Sequence, residues 1–329
     1  MVKVLVLGAT GYIGFPLCQS LLRASHTVYG LARDPKKAAR LAQNEIIPVL
    51  GSNEDRKLYV ELIRDERIDV VVDSTSANAS DSVRTIESIV ALGRERLEAD
   101  RARGWSPGKL GYIYVSGMWV HGSSPEPIND FSLVGVPGAP AQPPSIVSWR
   151  PAVERQILAY RDALDVMIVR PALLYGRGNP LWKILFDPLL AAAKEGSSGV
   201  VSVRADPDAM IPLVHLDDTV SGLHQAVERL PLVSGTNAWP VFDLVTSREN
   251  LRVIVEVAGR ELGFRGKVLC TGVGDDGLAE AMSCGVRGDS SRARDLLDWH
   301  PKFRGMVDGI ERYAMSFMAM KEVSPTSTI

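Results

Sequence analysis

The chain has 329 residues, 46% of them hydrophobic, a formal net charge of −2 and three cysteines. That length and apolar content suffice for a large core in one domain or two closely joined ones. Lys, Arg, Asp and Glu are evenly scattered with no basic stripe, which argues against nucleic acid or an anionic membrane surface as partners. Cys18, Cys270 and Cys284 form no C-x-x-C pair, so neither a disulfide framework nor a structural zinc site is expected, and a reducing, cytoplasmic compartment is. No apolar run approaches membrane-spanning length, and the first residues already read as a strand, so no leader segment is expected.

Val4, Leu5, Val6 and Leu7 read as a strand buried on both faces, as in the middle of a parallel sheet. Gly8-Ala9-Thr10-Gly11-Tyr12-Ile13-Gly14 follows directly, with Pro16 in the first helical turn and Ile13, Leu17 and Leu21 at a spacing of four. Strand, glycine turn and amphipathic helix together predict a cradle for the pyrophosphate of a dinucleotide. A turn that merely packs a helix on a strand accounts for one glycine, not three.

Strands at 27–32, 46–50, 70–72, 112–115 and 166–170 alternate with helices at 35–42, 58–67, 80–103 and 153–161, which predicts βαβ winding of a parallel sheet. The Pro- and Gly-rich stretch 122–145 leaves the fifth strand and reads as a lid. Beyond Gly176 the pattern predicts a helix at 181–195 and strands at 200–204 and 211–216 around a turn at Asp206-Pro207-Asp208. A helix capped by Asp217 or Asp218 then runs to Glu228, helices follow at 248–262 and 308–320, and residues 324–329 form a frayed tail.

Five segments stand in an order that resembles the extended short-chain dehydrogenase/reductases, the NAD-dependent epimerase/dehydratase group. They are GATGYIG at 8–14, YVSG at 114–117, RPALLYGRG at 170–178, VHLDD at 214–218 and SSRARDLLDWHP at 290–301. The resemblance implies an α/β fold with a Rossmann-like doubly wound parallel sheet over 1–175, to which 211–245 returns. It also implies a smaller, discontinuous C-terminal α/β lobe from 176–210 and 246–329 that binds substrate. By the same resemblance Gly8, Thr10, Gly11, Tyr12, Ile13 and Gly14 meet the cofactor pyrophosphate, and Ser52 and Asn53 the adenine. Ser74 and Thr75 meet the ribose and pyrophosphate, and the loop after Arg170, with Pro171 and Leu173, the nicotinamide. The helices near 80–103 and 153–161 could form a homodimer interface, as relatives do.

NAD enzymes of this kind carry an Asp at the end of the second strand, where this chain has Ala32, then Arg33, with Lys36 and Lys37 beyond. A small residue and a guanidinium accept a 2′-phosphate, so NADP is expected over NAD, and Asp34 reads as a helix cap. Solvated surface charge is the other use of these cations.

The catalytic pattern departs from the family. Ser116 fits the serine after the fifth strand, but no Tyr-x-x-x-Lys follows. Aligning Glu154 with the family's glutamate puts Ile146 and Arg150 at the Tyr and Lys positions, and sliding by three puts Trp149 and Val153 there. Arg150 could bond the ribose but cannot trade protons. Three readings stay open: Ser116 and His121 handle the proton, the acceptor needs little proton help, or redox chemistry is lost. His121 could equally be a packing or surface histidine.

No metal ligand set is expected, since His215 and Asp218 read as a strand-to-helix junction. Tyr112 and Tyr114 read as buried, and Tyr175 as packing beneath the nicotinamide. Nucleotide-sugar enzymes of the group carry an Arg where this chain has Ile211 and an Asn where it has Leu173. Phe131, Leu133 and Val134 of the lid, with Leu181, Trp182, Ile184, Leu185 and Phe186, are candidates for an apolar pocket or for ordinary core. The expectation is an NADP(H)-dependent reductase of a small, largely apolar carbonyl, imine or enone metabolite. The alternative is a non-redox sensor, isomerase or cyclase on the same fold.

Overall fold

The computed structural model describes residues 1–75 and 78–323; the tail at 324–329 lies outside them. The first part of the chain winds β1 (Lys3–Leu7), α1 (Gly14–Arg23), β2 (Thr27–Ala32), α2 (Pro35–Gln43), β3 (Ile47–Leu50), α3 (Arg56–Asp65) and β4 (Val70–Asp73). It continues through α4 (Ala79–Ala102), β5 (Leu110–Val115), β6 (Pro127–Ile128), α5 (Arg150–Ala159) and β7 (Leu164–Pro171). Val4 to Leu7 and Val70 to Val72 are buried to 5% exposure or less, as continuous apolar runs with helices on both faces must be. Asp34 caps α2, its carboxylate accepting the amide of Lys36 at 2.6 Å with Pro35 in the first turn.

The second part contains β8 (Leu173–Tyr175), α6 (Lys183–Lys194), β9 (Val200–Val203), β10 (Met210–His215), α7 (Leu216–Gly235), β11 (Val241–Leu244) and β12 (Ser247–Asn250). Then come α8 (Leu251–Glu261), β13 (Lys267–Cys270), α9 (Gly277–Met282), β14 (Arg287–Gly288), α10 (Ser291–Leu297) and α11 (Ile310–Val323).

Seven parallel strands form the main sheet in the order β11-β7-β5-β4-β1-β2-β3. The order reverses between β1 and β4, and the crevice beyond their carboxyl ends is where doubly wound sheets bind ligands. Leu17, Leu21, Leu223, Val227 and Leu230 of α1 and α7 cover one face, while Ile86, Ile89, Val153 and Ile157 of α4 and α5 cover the other.

Four expectations need correction. The strands β9 and β10 do not pair with each other: β9 runs parallel to β13, and β10 lies between β8 and β12. Residues 211–215 therefore stay in a separate three-stranded sheet, and the return to the main sheet begins with α7 and ends with β11. A further return comes later, where Ala293, Leu297 and Trp299 pack in the same core as α1 and α7. Finally, the helix expected from Arg248 starts at Leu251, because Ser247–Asn250 pairs with β10 and Asn250 caps the helix.

Neither Asp217 nor Asp218 caps α7. His215 does, its Nδ1 accepting the Asp217 amide at 3.1 Å, while the buried Asp218 carboxylate accepts the amides of Lys302 and Phe303 at 2.8 and 3.0 Å. His215 stacks on Phe303 at 3.6 Å, and burial pulls its pKa from the ordinary 6.5 down to about 4, with Asp217 opposing. A depressed folded pKa contributes stability above the unfolded value that is lost as pH falls. Unfolding free energy should therefore drop by up to about 3 kcal/mol between pH 6.5 and 4. In His215→Asn, which keeps a capping acceptor, urea melts across this window should lose that slope.

No helix among the described residues is long and apolar enough to cross a membrane. The solvent face of α4 carries Arg84, Glu87, Arg94, Glu95 and Glu98, and no large apolar side chain is exposed on α4 or α5.

Candidate active site

The glycine turn sits at the switch point. Gly8 has φ 81°, and a Cβ there would lie 2.9 Å from the Ser74 carbonyl oxygen. A Cβ on Gly14 would lie 2.2 Å from the Gly8 carbonyl oxygen, so this backbone approach requires glycine. Gly11 is exposed, and its amide closes the turn onto the Gly8 oxygen at 2.9 Å. Helix α1 opens with no side-chain cap and no acidic residue in its first turn, which leaves its amides and dipole free for an anion. The backbone of Thr10, Tyr12 and Ile13 frames the same turn, and the Tyr12 hydroxyl donates to the Gly176 carbonyl oxygen. These residues fit a dinucleotide pyrophosphate.

The other expected cofactor residues divide. Ala32 is 1% exposed at the end of β2, and Arg33 is exposed with no salt bridge among the described residues. The Asn53 amide donates to Thr85 Oγ1 at 3.2 Å and leaves its own Oδ1 buried and unpaired, whereas Ser52 Oγ accepts the Glu54 amide. Ser74 and Thr75 spend their hydroxyls internally, Ser74 on the Leu7 oxygen at 2.8 Å and Thr75 on Asp73 at 2.6 Å. These bonds brace the turn while both residues stay part-exposed. Pro171 ends β7, and the Leu173 side chain packs in the lobe core.

Ser116 follows β5 and is 8% exposed; its Oγ has no hydrogen-bond partner among the described residues. Arg150 opens α5 and donates to the Tyr114 hydroxyl at 3.3 Å. The geometry selects one of the two registers: Trp149 and Val153 pack in the core behind α5, while Ile146 is 42% exposed one turn before Arg150. Beside them, burial pushes the Asp73 carboxyl above the ordinary carboxylate range, although Thr75 and Tyr112 donate to it. Burial also pushes the Tyr114 phenol up to about 12, against the pull of Arg150. The sequence reading missed Asp73; a carboxylate ending an otherwise apolar strand was the available signal.

His121 is not at the site surface. It is 2% exposed, and its Nε2 donates to Asp243 at 2.9 Å, which removes it from contact with a substrate. Asp243 belongs to a buried charge network. Arg170 pairs with both carboxylate oxygens of Glu154 and lies 3.7 Å from Asp243, while Asp130 accepts the Asp243 amide and pairs with Arg292 at 2.7 Å. Burial would raise Asp243, but His121 and Arg170 hold it below the ordinary carboxylate value. Burial and the Asp243 charge push Asp130 up to about 6. The network ties the segment after β5 and the end of β7 to α5 and β11, and so braces the segments carrying Ser116 and Arg150.

Most of the expected apolar pocket is ordinary core. Trp182, Leu185 and Phe186 are buried in the lobe, Leu181 and Ile184 pack against them, and Tyr175 lies edge-on to His215 and Tyr313. Phe131 and Leu133 are exposed, and Phe131 lies under the Arg292 guanidinium. One trio outside the site, His26, His224 and Glu228, brings three potential metal donors within 4.8 Å of one another. His26 Nδ1 accepts the Val2 amide, so its Nε2 carries the proton toward Glu228 and is not free to ligate.

Residues 4–235 match the model of the NAD dependent epimerase/dehydratase family. The chain is 27% identical over 307 residues to a dTDP-6-deoxy-L-talose 4-dehydrogenase (NAD(P)(+)) from Kitasatospora kifunensis, covering 91% of each. Among solved structures it superposes on a dTDP-glucose 4,6-dehydratase from Bacillus anthracis in complex with NAD with a TM-score of 0.70, at 16% identity and 98% coverage of both chains. A UDP-glucuronic acid 4-epimerase from Bacillus cereus in complex with NAD gives a TM-score of 0.65 at 18% identity, covering 98% of this chain and 99% of that one. With its glycine cradle at the switch point of a seven-stranded parallel sheet, the chain belongs to the NAD dependent epimerase/dehydratase family.

Proposed function

We propose that this protein is an NADP(H)-dependent reductase of a small, largely apolar carbonyl, imine or enone compound. The Ser116 hydroxyl carries the reading: it is buried and unpartnered at the carboxyl end of β5, and such a group is costly unless a ligand completes it. Arg33, exposed beside the small Ala32, supports NADP over NAD. The bound nicotinamide would supply a hydride. Ser116 would donate a hydrogen bond to the acceptor atom and Arg150 would hold the ribose hydroxyls. Ile211 and Leu173, both in the lobe core, stand where nucleotide-sugar enzymes of the family carry an Arg and an Asn, which speaks against a sugar diphosphate. The exposed Ile146 beside Arg150 and the exposed Phe131 and Leu133 of the lid support an apolar substrate, whereas the buried residues of α6 do not.

Ser116→Ala should lower kcat about 100-fold and leave NADPH affinity unchanged, read by single-turnover absorbance of NADPH with a panel of carbonyl compounds. An unchanged rate would remove Ser116 from the chemistry. A second reading draws on the absence of a proton-trading group at Ile146 and Arg150: a non-redox binder or isomerase. Deuterium from 4-deuterated NADPH recovered in product favours the reductase; product without cofactor consumption favours the second reading.

A further inference from the structure

We propose that Arg177 is an anion latch, whose guanidinium leaves Asp217 and pairs with a pyrophosphate oxygen of a dinucleotide lying on the first turn of α1. The inference rests on the dinucleotide-binding reading above. Gly176 is tied to the glycine turn through the Tyr12 hydroxyl, which donates to the Gly176 oxygen. All three residues are left-handed, with φ of 87°, 49° and 69°. Gly176 cannot shift freely, since a Cβ there would lie 2.2 Å from His215 Nε2. Arg177 thus holds a backbone conformation that disfavours a side chain, on a loop fixed from both sides.

The guanidinium that this loop presents is 67% exposed and pairs with the Asp217 carboxylate at 2.8 Å. A solvent-exposed pair of this kind is weak and screened, so a better anion displaces it readily. The Tyr12 phenol lies close enough to be shifted by both charges, after burial: Asp217 raises it and Arg177 lowers it. Arg177 therefore stands beside the side chain of Tyr12, a residue of the turn that opens α1, whose amides lack a cap and an acid. A planar guanidinium fork suits phosphate oxygens as well as it suits a carboxylate. Asp217 then acts as a competitor that parks the side chain when no ligand is bound.

The two partners should act with opposite signs, which a merely structural ion pair would not. Calorimetric titration of NADPH and of NADH into the full chain should show Arg177→Ala weakening both by the same factor, about tenfold or more, since both carry the pyrophosphate. Asp217→Asn should tighten both. Raising salt should weaken the wild type more than Arg177→Ala. Equal weakening by both variants, or an Arg177→Ala affinity equal to wild type, overturns the latch while dinucleotide binding stands. A wild-type chain that binds neither nucleotide overturns the underlying reading as well.

Discussion

Arg170→Ala is expected to lower the unfolding free energy by about 3–5 kcal/mol. Arg170 is 3% exposed and answers two carboxylates, Glu154 with bonds of 3.1 Å to each oxygen and Asp243 at 3.7 Å. Removing the guanidinium leaves Glu154 uncompensated and Asp243 with His121 alone, both far from water, and the loss exceeds what the pair itself contributed. Urea unfolding read by tryptophan fluorescence measures it. The double variant Arg170→Met with Glu154→Gln should recover part of the loss, because Glu154 then leaves no uncompensated charge, although Asp243 remains with His121 alone. A loss below about 1 kcal/mol would mean that water reaches the network, contrary to the burial described.

Gly14→Ala is expected to weaken NADPH binding about tenfold to 100-fold. The new methyl would lie 2.2 Å from the Gly8 oxygen and 2.9 Å from Ser74 Oγ, two atoms that fix the turn. Relieving such overlap costs roughly 1–3 kcal/mol and moves the amides that would hold the pyrophosphate. Gly108→Ala is the control, since a Cβ there meets nothing within 4 Å. Calorimetry on both variants reads the difference; wild-type affinity in Gly14→Ala would show that the turn does not hold the ligand.

The centre of the main sheet was legible because β1 and β4 are apolar runs buried on both faces and the first turn needs glycine at positions 8 and 14. Asp34 as a cap and Ala32 with Arg33 at the end of β2 were legible for the same local reasons. The edge strand β11 was not, since Val241–Leu244 is four residues long and broken by the buried Asp243. Without β11 the partner of His121 was invisible, and the histidine read as a candidate acid. Leu185 and Phe186 show the other limit: an apolar helical stripe has the same period whether it lines a pocket or fills a core. The bracing role of Ser74 was not legible, since a hydroxyl beside a glycine turn reads as a ligand contact until its 2.8 Å bond to Leu7 is seen.

The central claim is that the cradle holds NADP(H), and titrating NADPH and NADH into wild type and Arg33→Ala tests it most directly. The account predicts tighter binding of NADPH than NADH in the wild type, and a loss of about tenfold for NADPH alone in Arg33→Ala. Equal affinities unaffected by the substitution would contradict the NADP assignment, and absence of binding by either nucleotide would contradict the site itself.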